Sequence, residues 1–494
     1  MIYTMQGLEN DHPIREMLFN LLPTEIPERA DIAPEGADAL GVVVEQAGAE
    51  NRIRVCCVRG GKQICAEKRA PISDDAEQTK RVRTHALKSA IFEAVVPFLD
   101  TVPEWGSLTG VRPAKFARSF MEQGYTPAQV AKLMTETYHV SAARRALAIR
   151  SAGVAMDLKE KIRDNDISIY IGIPFCPSRC SYCSFVSHSI EKAGKLMEAY
   201  LDTLCGEIIH TGEILKQAGL RIVTIYIGGG TPTTLSAEQM DRLLHTVHQS
   251  LDLHALEEFT VEAGRPDTIT REKLTVLKKY GVDRISINPQ SMNDAVLEGI
   301  GRHHSAQDVL DRYQTAREVG FSAINMDTIA GLDGDTPESF ARTMDMLLEL
   351  NPENITVHTL AAKRGADQHD RAHNAQKQDD VRQMLEIASQ KLTAAGYVPY
   401  YLYRQKFMAG GFENVGWCKI GYECKYNVYM MEELQTIVSL GAGGVTKLLG
   451  TDGRKIRRIS NPKYPYEYNV SLQRINAGKQ EILNWAQSST ALPD

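Results

Sequence analysis

Cysteine is scarce in this 494-residue chain, with nine in all. That excludes a disulfide-stapled scaffold. Adjacent Cys56-Cys57 is a poor pair, and Cys65, Cys205, Cys418 and Cys424 show no framework spacing. No run of about 18 apolar residues occurs, so no membrane span is expected. The segment from Met1 to Asn10 has neither a basic stretch nor an apolar one, so no secretory signal is read there. These features predict a cytoplasmic, reducing setting. Positive charge is not in excess either: 56 Lys and Arg against 62 Asp and Glu leave −6. Bulk-charge binding to nucleic acid is therefore not expected, while a local basic pocket is still allowed. What remains is ordinary globular composition, 43% hydrophobic and 24% charged, which excludes general disorder.

The length suggests about three domains, or one large core with additions. Residues 1–105 read as an α+β domain. Apolar runs at 40–45, 53–58 and 63–66 suggest a meander, and 79–99 has helical spacing. Residues 106–165 read as a helical connector punctuated by Pro113, Gly124 and Pro127. From 166 to 396 strands and helices alternate, with candidate strands at 167–173, 222–227, 258–261, 284–287, 323–326 and 354–357. Six βα repeats predict an α/β core with a parallel sheet, curling into a full or partial (β/α)6 barrel. Residues 397–494 are read as a mainly helical C-terminal domain, with a helix around 428–440 broken by Gly441-Ala442-Gly443-Gly444.

Three of the nine cysteines fall within eight residues, in Phe175-Cys176-Pro177-Ser178-Arg179-Cys180-Ser181-Tyr182-Cys183. This C-x3-C-x2-C run directly follows the first strand of the repeat region. Core packing does not place three thiols in a loop with proline, serine and arginine. Structural zinc wants four closed ligands, and the nearest further donor, His188, reads as a solvated loop residue. An iron–sulfur cluster held by three thiolates keeps one iron open to a small molecule. One βα unit later comes Gly228-Gly229-Gly230-Thr231-Pro232-Thr233, whose glycines let backbone approach a ligand. Further polar residues sit at the ends of later strands: Glu262, Gln290, Arg302 and Asp327. Barrel ligands bind at that rim.

With these motifs the chain resembles the radical SAM family. Tyr170-Ile171-Gly172-Ile173-Pro174-Phe175-Cys176, the glycine segment, Gln290, Arg302 and Asn325-Met326-Asp327 are similar to the oxygen-independent coproporphyrinogen III oxidase group. Leu108-Thr109-Gly110-Val111-Arg112-Pro113-Ala114-Lys115 and Tyr403-Arg404-Gln405-Lys406-Phe407-Met408-Ala409-Gly410 resemble its long-form, coproporphyrinogen dehydrogenase branch.

The resemblance implies a partial (β/α)6 radical SAM barrel, a [4Fe-4S] cluster and S-adenosylmethionine (SAM). It implies oxidative decarboxylation of two propionates of coproporphyrinogen III to vinyls, giving protoporphyrinogen IX. Cys176, Cys180 and Cys183 are expected to hold the cluster. Tyr170 is expected beside the cluster and SAM, with Gly229, Gly230, Thr231, Glu262, Gln290, Arg302 and Asp327 contacting SAM. The C-terminal domain is expected to cover the substrate. Four substrate carboxylates require cations, for which Arg112, Lys115, Lys363, Arg364, Arg404 and Lys406 are candidates. Expected partners are a tetrapyrrole, a one-electron reductant such as flavodoxin or ferredoxin, and an electron acceptor that the sequence does not identify. Two departures stand out: Gly172 replaces a histidine of the better-known branch, and Phe185 replaces its fourth cysteine. Two further readings stay open. One is a heme chaperone, although Glu413-Asn414-Val415-Gly416-Trp417 lacks the histidine such proteins carry. The other is a different radical SAM reaction on tetrapyrroles, such as ring opening with methyl transfer.

Overall fold

The computed structural model describes residues 1–22, 25–183, 187–360, 368–405, 411–450 and 455–490. The chain divides into two compact units. The first holds Met1–Gly153, Ala361–Gln383 and Leu402–Asn414, and the second holds Val154–Leu360, Met384–Tyr401 and Val415–Asp494.

In the first unit five strands form one sheet: β1 (Ile2–Gln6), β2 (Glu28–Arg29), β3 (Ala39–Ala47), β4 (Glu50–Arg59) and β5 (Lys62–Pro71), in the order β2-β1-β3-β4-β5. The long strands alternate buried and open residues, so one face is covered. Ile14, Met17, Leu18, Leu87 and Ile91 of the helices His12–Leu21 and Ala76–Val95 join that core. Gly60 and Gly61, both at positive φ, close the β4–β5 hairpin. That turn sets a register in which Cys56 faces Cys65, and the two form a disulfide. The sequence reading of no disulfide is corrected here. A spacing of nine residues resembles no framework until the two-residue turn fixes which strand positions oppose.

The second unit carries the expected repeats. β6 (Asp166–Ile173) leads to a short pair, β7 (Phe175–Cys176) and β8 (His188–Ser189). Then come β9 (Arg221–Gly229), β10 (Glu258–Gly264), β11 (Arg284–Ile287), β12 (Ala323–Ala330) and β13 (Asn354–Thr359). β6, β9, β10, β11, β12 and β13 are neighbours in that order and all parallel. Their residues are buried almost throughout, as in a sheet covered on both faces. Polar caps open four of the intervening helices: Ser236, Thr270, Ser305 and Thr336 each accept a backbone N–H of the first turn.

The C-terminal residues contribute strands as well as helices. β14 (Val398–Arg404) and β15 (Glu413–Cys418) extend the sheet beyond β13, and β16 (Thr436–Leu440), β17 (Val445–Leu449) and β18 (Ile456–Ser460) extend it beyond β6. The helix read around 428–440 is in fact two elements, a helix Lys425–Glu432 and the strand β16. Glu433, at φ 53, ends the helix. All five residues of β16 are buried, and an unbroken apolar run does not by its periodicity tell strand from buried helix. Among the described residues no helix is long and apolar enough to cross a membrane.

Candidate functional site

The C-terminal ends of the parallel strands bring most of the sequence-derived residues together. Cys176 lies in β7, and the glycine segment is stitched to the chain on either side of it. Gly230 N donates to Ile173 O and Thr231 N to Phe175 O, both at 2.7 Å. Thr231 Oγ1 lies 3.5 Å from Cys176 Sγ. A Cβ on Gly230 would stand 2.5 Å from Phe175 O, so only glycine permits this approach. Gly229, at φ +110, is also restricted to glycine, and a Cβ there would lie 3.2 Å from Tyr170 Oη.

Two buried arginines hold the rest of the cysteine loop. Arg265 Nη1 donates to Ser178 Oγ at 2.7 Å and lies 4.0 Å from Cys180 Sγ, while Nε and Nη2 grip Asp267. Arg302 donates through Nε and Nη2 to Tyr182 Oη, at 3.2 and 2.8 Å. Its third nitrogen, Nη1, is buried without a hydrogen-bond partner. Burial, countered in part by Arg302, pushes the Tyr182 phenol up.

Behind this loop three tyrosines stack. Tyr226 and Tyr426 rings lie 4.6 Å apart, and Tyr170 lies 6.3 Å from each, all within about 21° of parallel. Tyr226 Oη donates to Glu262 Oε1 at 2.6 Å. Burial pushes the Glu262 carboxyl up to about 7, against the opposing effects of the Tyr226 and Gly229 hydrogen bonds. Gly228 leaves room for that carboxyl, since a Cβ there would come within 2.8 Å of it. Asp327 behaves oppositely. Burial pushes its carboxyl up, but hydrogen bonds from His358, Asn325 and Thr356 outweigh it and hold the value below the usual one. His358 Nε2 lies 3.6 Å from Asp327 Oδ2, and Asn325 Nδ2 donates to Oδ1 at 2.7 Å. Gln290 adopts φ 68, held by Gln290 N to Asp327 O and Ile329 N to Gln290 O, each 3.0 Å. Its Oε1 is buried without a partner.

A cavity of about 430 Å³ opens beside these groups, lined by Tyr170, Gly172, Gly229, Ala442, Gly443 and Lys463 among others.

Of the expected substrate cations, Arg112, Lys115 and Arg404 belong to the first unit. Arg112 and Lys115 stand at the start of the helix Pro113–Met121 and are half-buried. Arg404 is buried, with Nε on Gly411 O at 2.7 Å, Nη1 on Leu108 O and its plane over the Trp105 ring. Burial lowers its value to about 10. Lys363, Arg364, Lys406 and Phe185 lie outside the described residues.

Sequence reasoning missed Tyr182, Arg265, Tyr226, Tyr426 and His358. Tyr182 lies inside the cysteine run, and Arg265 and His358 lie at strand ends, so the rim rule would have found them. Tyr426 carries no such signal, because it reaches the site from a distant helix.

The family model of the radical SAM superfamily matches residues 170–347. The oxygen-independent coproporphyrinogen-III oxidase-like protein HemZ of Bacillus subtilis (strain 168) is 41% identical over 387 residues, 77% of this chain and 77% of that protein. The heme chaperone HemW of the same organism is 35% identical over 311 residues, 60% of this chain and 77% of that protein. Among solved structures, coproporphyrinogen III oxidase (HemN) from Escherichia coli, a radical SAM enzyme, superposes with a TM-score of 0.50 at 23% identity, covering 66% of this chain and 73% of that one. The chain is thus a radical SAM protein. Within that superfamily it belongs to the coproporphyrinogen III oxidase-like family, whose cofactors are a [4Fe-4S] cluster and SAM.

The residues present fit both cofactors. Cys176, Cys180 and Cys183 form no disulfide. Among the described residues no three His, Cys, Asp or Glu side chains converge as ligands of one ion would. A cubane instead takes its thiolates at separate corners. Arg302 Nη1, a donor, and Gln290 Oε1, an acceptor, are buried and unpartnered, as an amino-acid-like ligand requires.

Proposed function

We propose that this chain oxidatively decarboxylates two propionates of coproporphyrinogen III to vinyls, giving protoporphyrinogen IX. The observation that carries the reading is the 41% identity with the coproporphyrinogen-III oxidase-like relative over 77% of both chains. When bound, the cluster and SAM supply a 5′-deoxyadenosyl radical, which takes hydrogen from the propionate β-carbon. Loss of CO2 and of one electron then leaves the alkene, and a separate acceptor takes that electron. A one-electron reductant such as flavodoxin or ferredoxin would supply the electron that the bound cluster needs.

In this reading Cys176, Cys180 and Cys183 hold the cluster. Arg265 and Arg302 keep their loop closed, through Ser178 and Tyr182. The unpartnered Arg302 Nη1 takes the methionine carboxylate, and Gln290 Oε1 accepts from a donor of SAM. Asp327, held ionised, accepts ribose hydroxyls, and Glu262 keeps a proton near neutrality. Gly229, Gly230 and Thr231 present backbone to SAM, and Tyr170 closes the site on the cavity side. Arg112, Lys115 and Lys406 are assigned to substrate carboxylates. Arg404 is better described as a bracket between Leu108 and Gly411.

The test is an anaerobic assay of the iron-reconstituted protein with coproporphyrinogen III, SAM and a reductant. Mass spectrometry should find mono- and divinyl products losing one CO2 at each step. SAM cleavage without such products would sink the substrate assignment.

A second reading, heme carriage, is favoured by the 35% identity with a heme chaperone over 77% of its length. Against it, Glu413 stands in the segment where chaperones carry histidine. Its carboxylate accepts from Trp105 Nε1 at 2.7 Å and pairs with Arg144 at 2.8 Å. Stable heme binding without vinyl products would favour the chaperone.

A further inference from the structure

A sulfur pair of the first unit stands apart from the cluster loop, and no step described so far uses it. Cys56 and Cys65 form the one disulfide among the described residues, joining β4 to β5. Side chains alternate along a strand, so the pair lies on the face opposite the core that holds Ile53, Val55 and Cys57. Cys65 is exposed and Cys56 half-buried. The other cysteines outside the cluster loop, Cys57, Cys205, Cys418 and Cys424, are buried.

The bond is not what closes the hairpin. β4 and β5 pair along their whole length, from Glu50 opposite Pro71 to Arg59 opposite Lys62, and the Gly60-Gly61 turn joins them. Ile53, Val55 and Cys57 anchor β4 in the core from the other face. The two sulfurs are thus kept adjacent whether bonded or not, and the bond can open and close while the strands stay in place. A chain that holds a cluster on three thiolates works where thiols are kept reduced. A surface disulfide in such a setting is a redox-active bond rather than a structural one.

The two sulfurs differ in their surroundings. Exchange brings the attacking sulfur in line with the bond it breaks. β4 lies between β3 and β5, so the line from Cys65 through Cys56 leads out over β3. There Gly41 stands directly opposite Cys56, and no side chain of that strand covers the sulfur. A Cβ at Gly41 would meet only ordinary contacts, 3.7 Å to Thr4 Oγ1 and 3.9 Å to Cys56 O, so packing does not demand glycine there. On β5, Gln63 Nε2 donates to Cys65 Sγ at 3.3 Å, placed to stabilise a thiolate at that atom. Cys57 takes no part: it points into the core, where burial pushes its thiol up to about 11 and keeps it protonated.

We propose that Cys56–Cys65 is a thiol–disulfide exchange site that takes two electrons from a dithiol. One thiolate of the dithiol attacks Cys56 Sγ from over Gly41. The Cys56–Cys65 bond breaks, a mixed disulfide forms, and Cys65 leaves as a thiolate beside Gln63 and takes a proton from water. The second thiolate of the dithiol then attacks its own neighbour's sulfur in the mixed disulfide and releases Cys56, which is protonated in turn. The dithiol ends as a disulfide and the chain carries two thiols.

The experiment treats full-length protein, isolated in air, with excess dithiothreitol, quenches at intervals with N-ethylmaleimide and maps tryptic peptides by mass spectrometry. Before reduction, peptides 55–59 and 63–68 should be found joined. Reduction should add one label to each, while Cys57 stays unlabelled until urea is added. Gly41→Val should slow the reduction about five- to tenfold by covering Cys56, and in urea it should be reduced as fast as wild type. Gln63→Leu, at an exposed position, should slow it about threefold by removing the donor to the departing sulfur. Rates equal to wild type in both variants overturn the proposed attack. Labelling of Cys57 in step with the pair shows that only the opened chain reacts, and overturns the site. So does a wild type in which the two peptides are never found joined.

Discussion

Glu262 and Asp327 are two carboxyls on neighbouring parts of one rim, yet their surroundings separate them. Glu262 has one phenol and one backbone N–H to offset its burial, and rises from 4.5 to about 7. Asp327 has three side-chain hydrogen bonds and stays low. Between about pH 4.5 and 7 the folded chain therefore binds a proton at Glu262 that the unfolded chain releases. Stability from this group is full below that window and declines as pH rises through it. Glu262→Gln should remove the decline. Thermal midpoints of the cluster-free protein at about pH 5 and pH 7.5 should lie closer together in the variant than in wild type. Parallel shifts in both would show that Glu262 is not the group responsible. A second residue-level expectation concerns the thiols: Cys180→Ala should abolish cluster absorbance and SAM cleavage together, and retained cleavage would overturn the assignment of the cysteine loop. These positions were legible because strand ends are legible: a polar residue closing an apolar run points to the rim. The tyrosine stack was not, since Tyr426 meets Tyr170 and Tyr226 only after the sheet has formed.

At the scale of elements, the glycine segment after β9 shows how a backbone requirement reads as a motif. Its Gly230 packs against the carbonyls of Phe175 and Ile173, neither of which can swing aside as a side-chain tip would. Gly230→Ala should therefore displace the start of the cysteine loop at a cost of about 1–3 kcal/mol. It should lower both the thermal midpoint and the iron retained on reconstitution. Gly172→Ala, whose new methyl finds ordinary contacts, should leave the thermal midpoint within about a degree of wild type. Iron content unchanged in Gly230→Ala would show that the loop does not depend on this contact. The six parallel strands were readable from their apolar runs. Two features were not. β16 is apolar over its whole length, so helix and strand looked alike until its neighbours were known. The Cys56–Cys65 pair depends on a register set by Gly60-Gly61, and pairing register is a tertiary property.

For the molecule as a whole, the sheet that carries the rim is not finished when its six repeats are made. β16 runs parallel to β6 over Thr436–Leu440, although more than 260 residues separate them. The first strand of the core thus has an unpaired edge until the C-terminal chain returns, and no local pattern in the sequence announces that return. A buried ion pair fastens it. Lys479 Nζ lies 3.0 Å from Glu207 Oε1 and donates to Ser439 O at 2.6 Å, while Tyr468 Oη and Gly441 N donate to Glu207 Oε2 at 2.5 and 2.9 Å. Lys479 and Glu207 are almost wholly buried. Removing one partner leaves the other charged, buried and partly unanswered, so Lys479→Met should cost about 3–5 kcal/mol. Lys479→Met with Glu207→Gln should cost less than the single change, because no charge is then stranded and the glutamine still accepts from Tyr468 and Gly441. Urea denaturation of the full chain measures these two and Glu207→Gln alone. If the double variant loses as much as the two single variants added together, the pair is not coupled. The Gly441–Gly444 turn would then owe its place to Tyr200, whose hydroxyl bonds Gly172 O at 2.6 Å and accepts from Ala442 N at 3.0 Å.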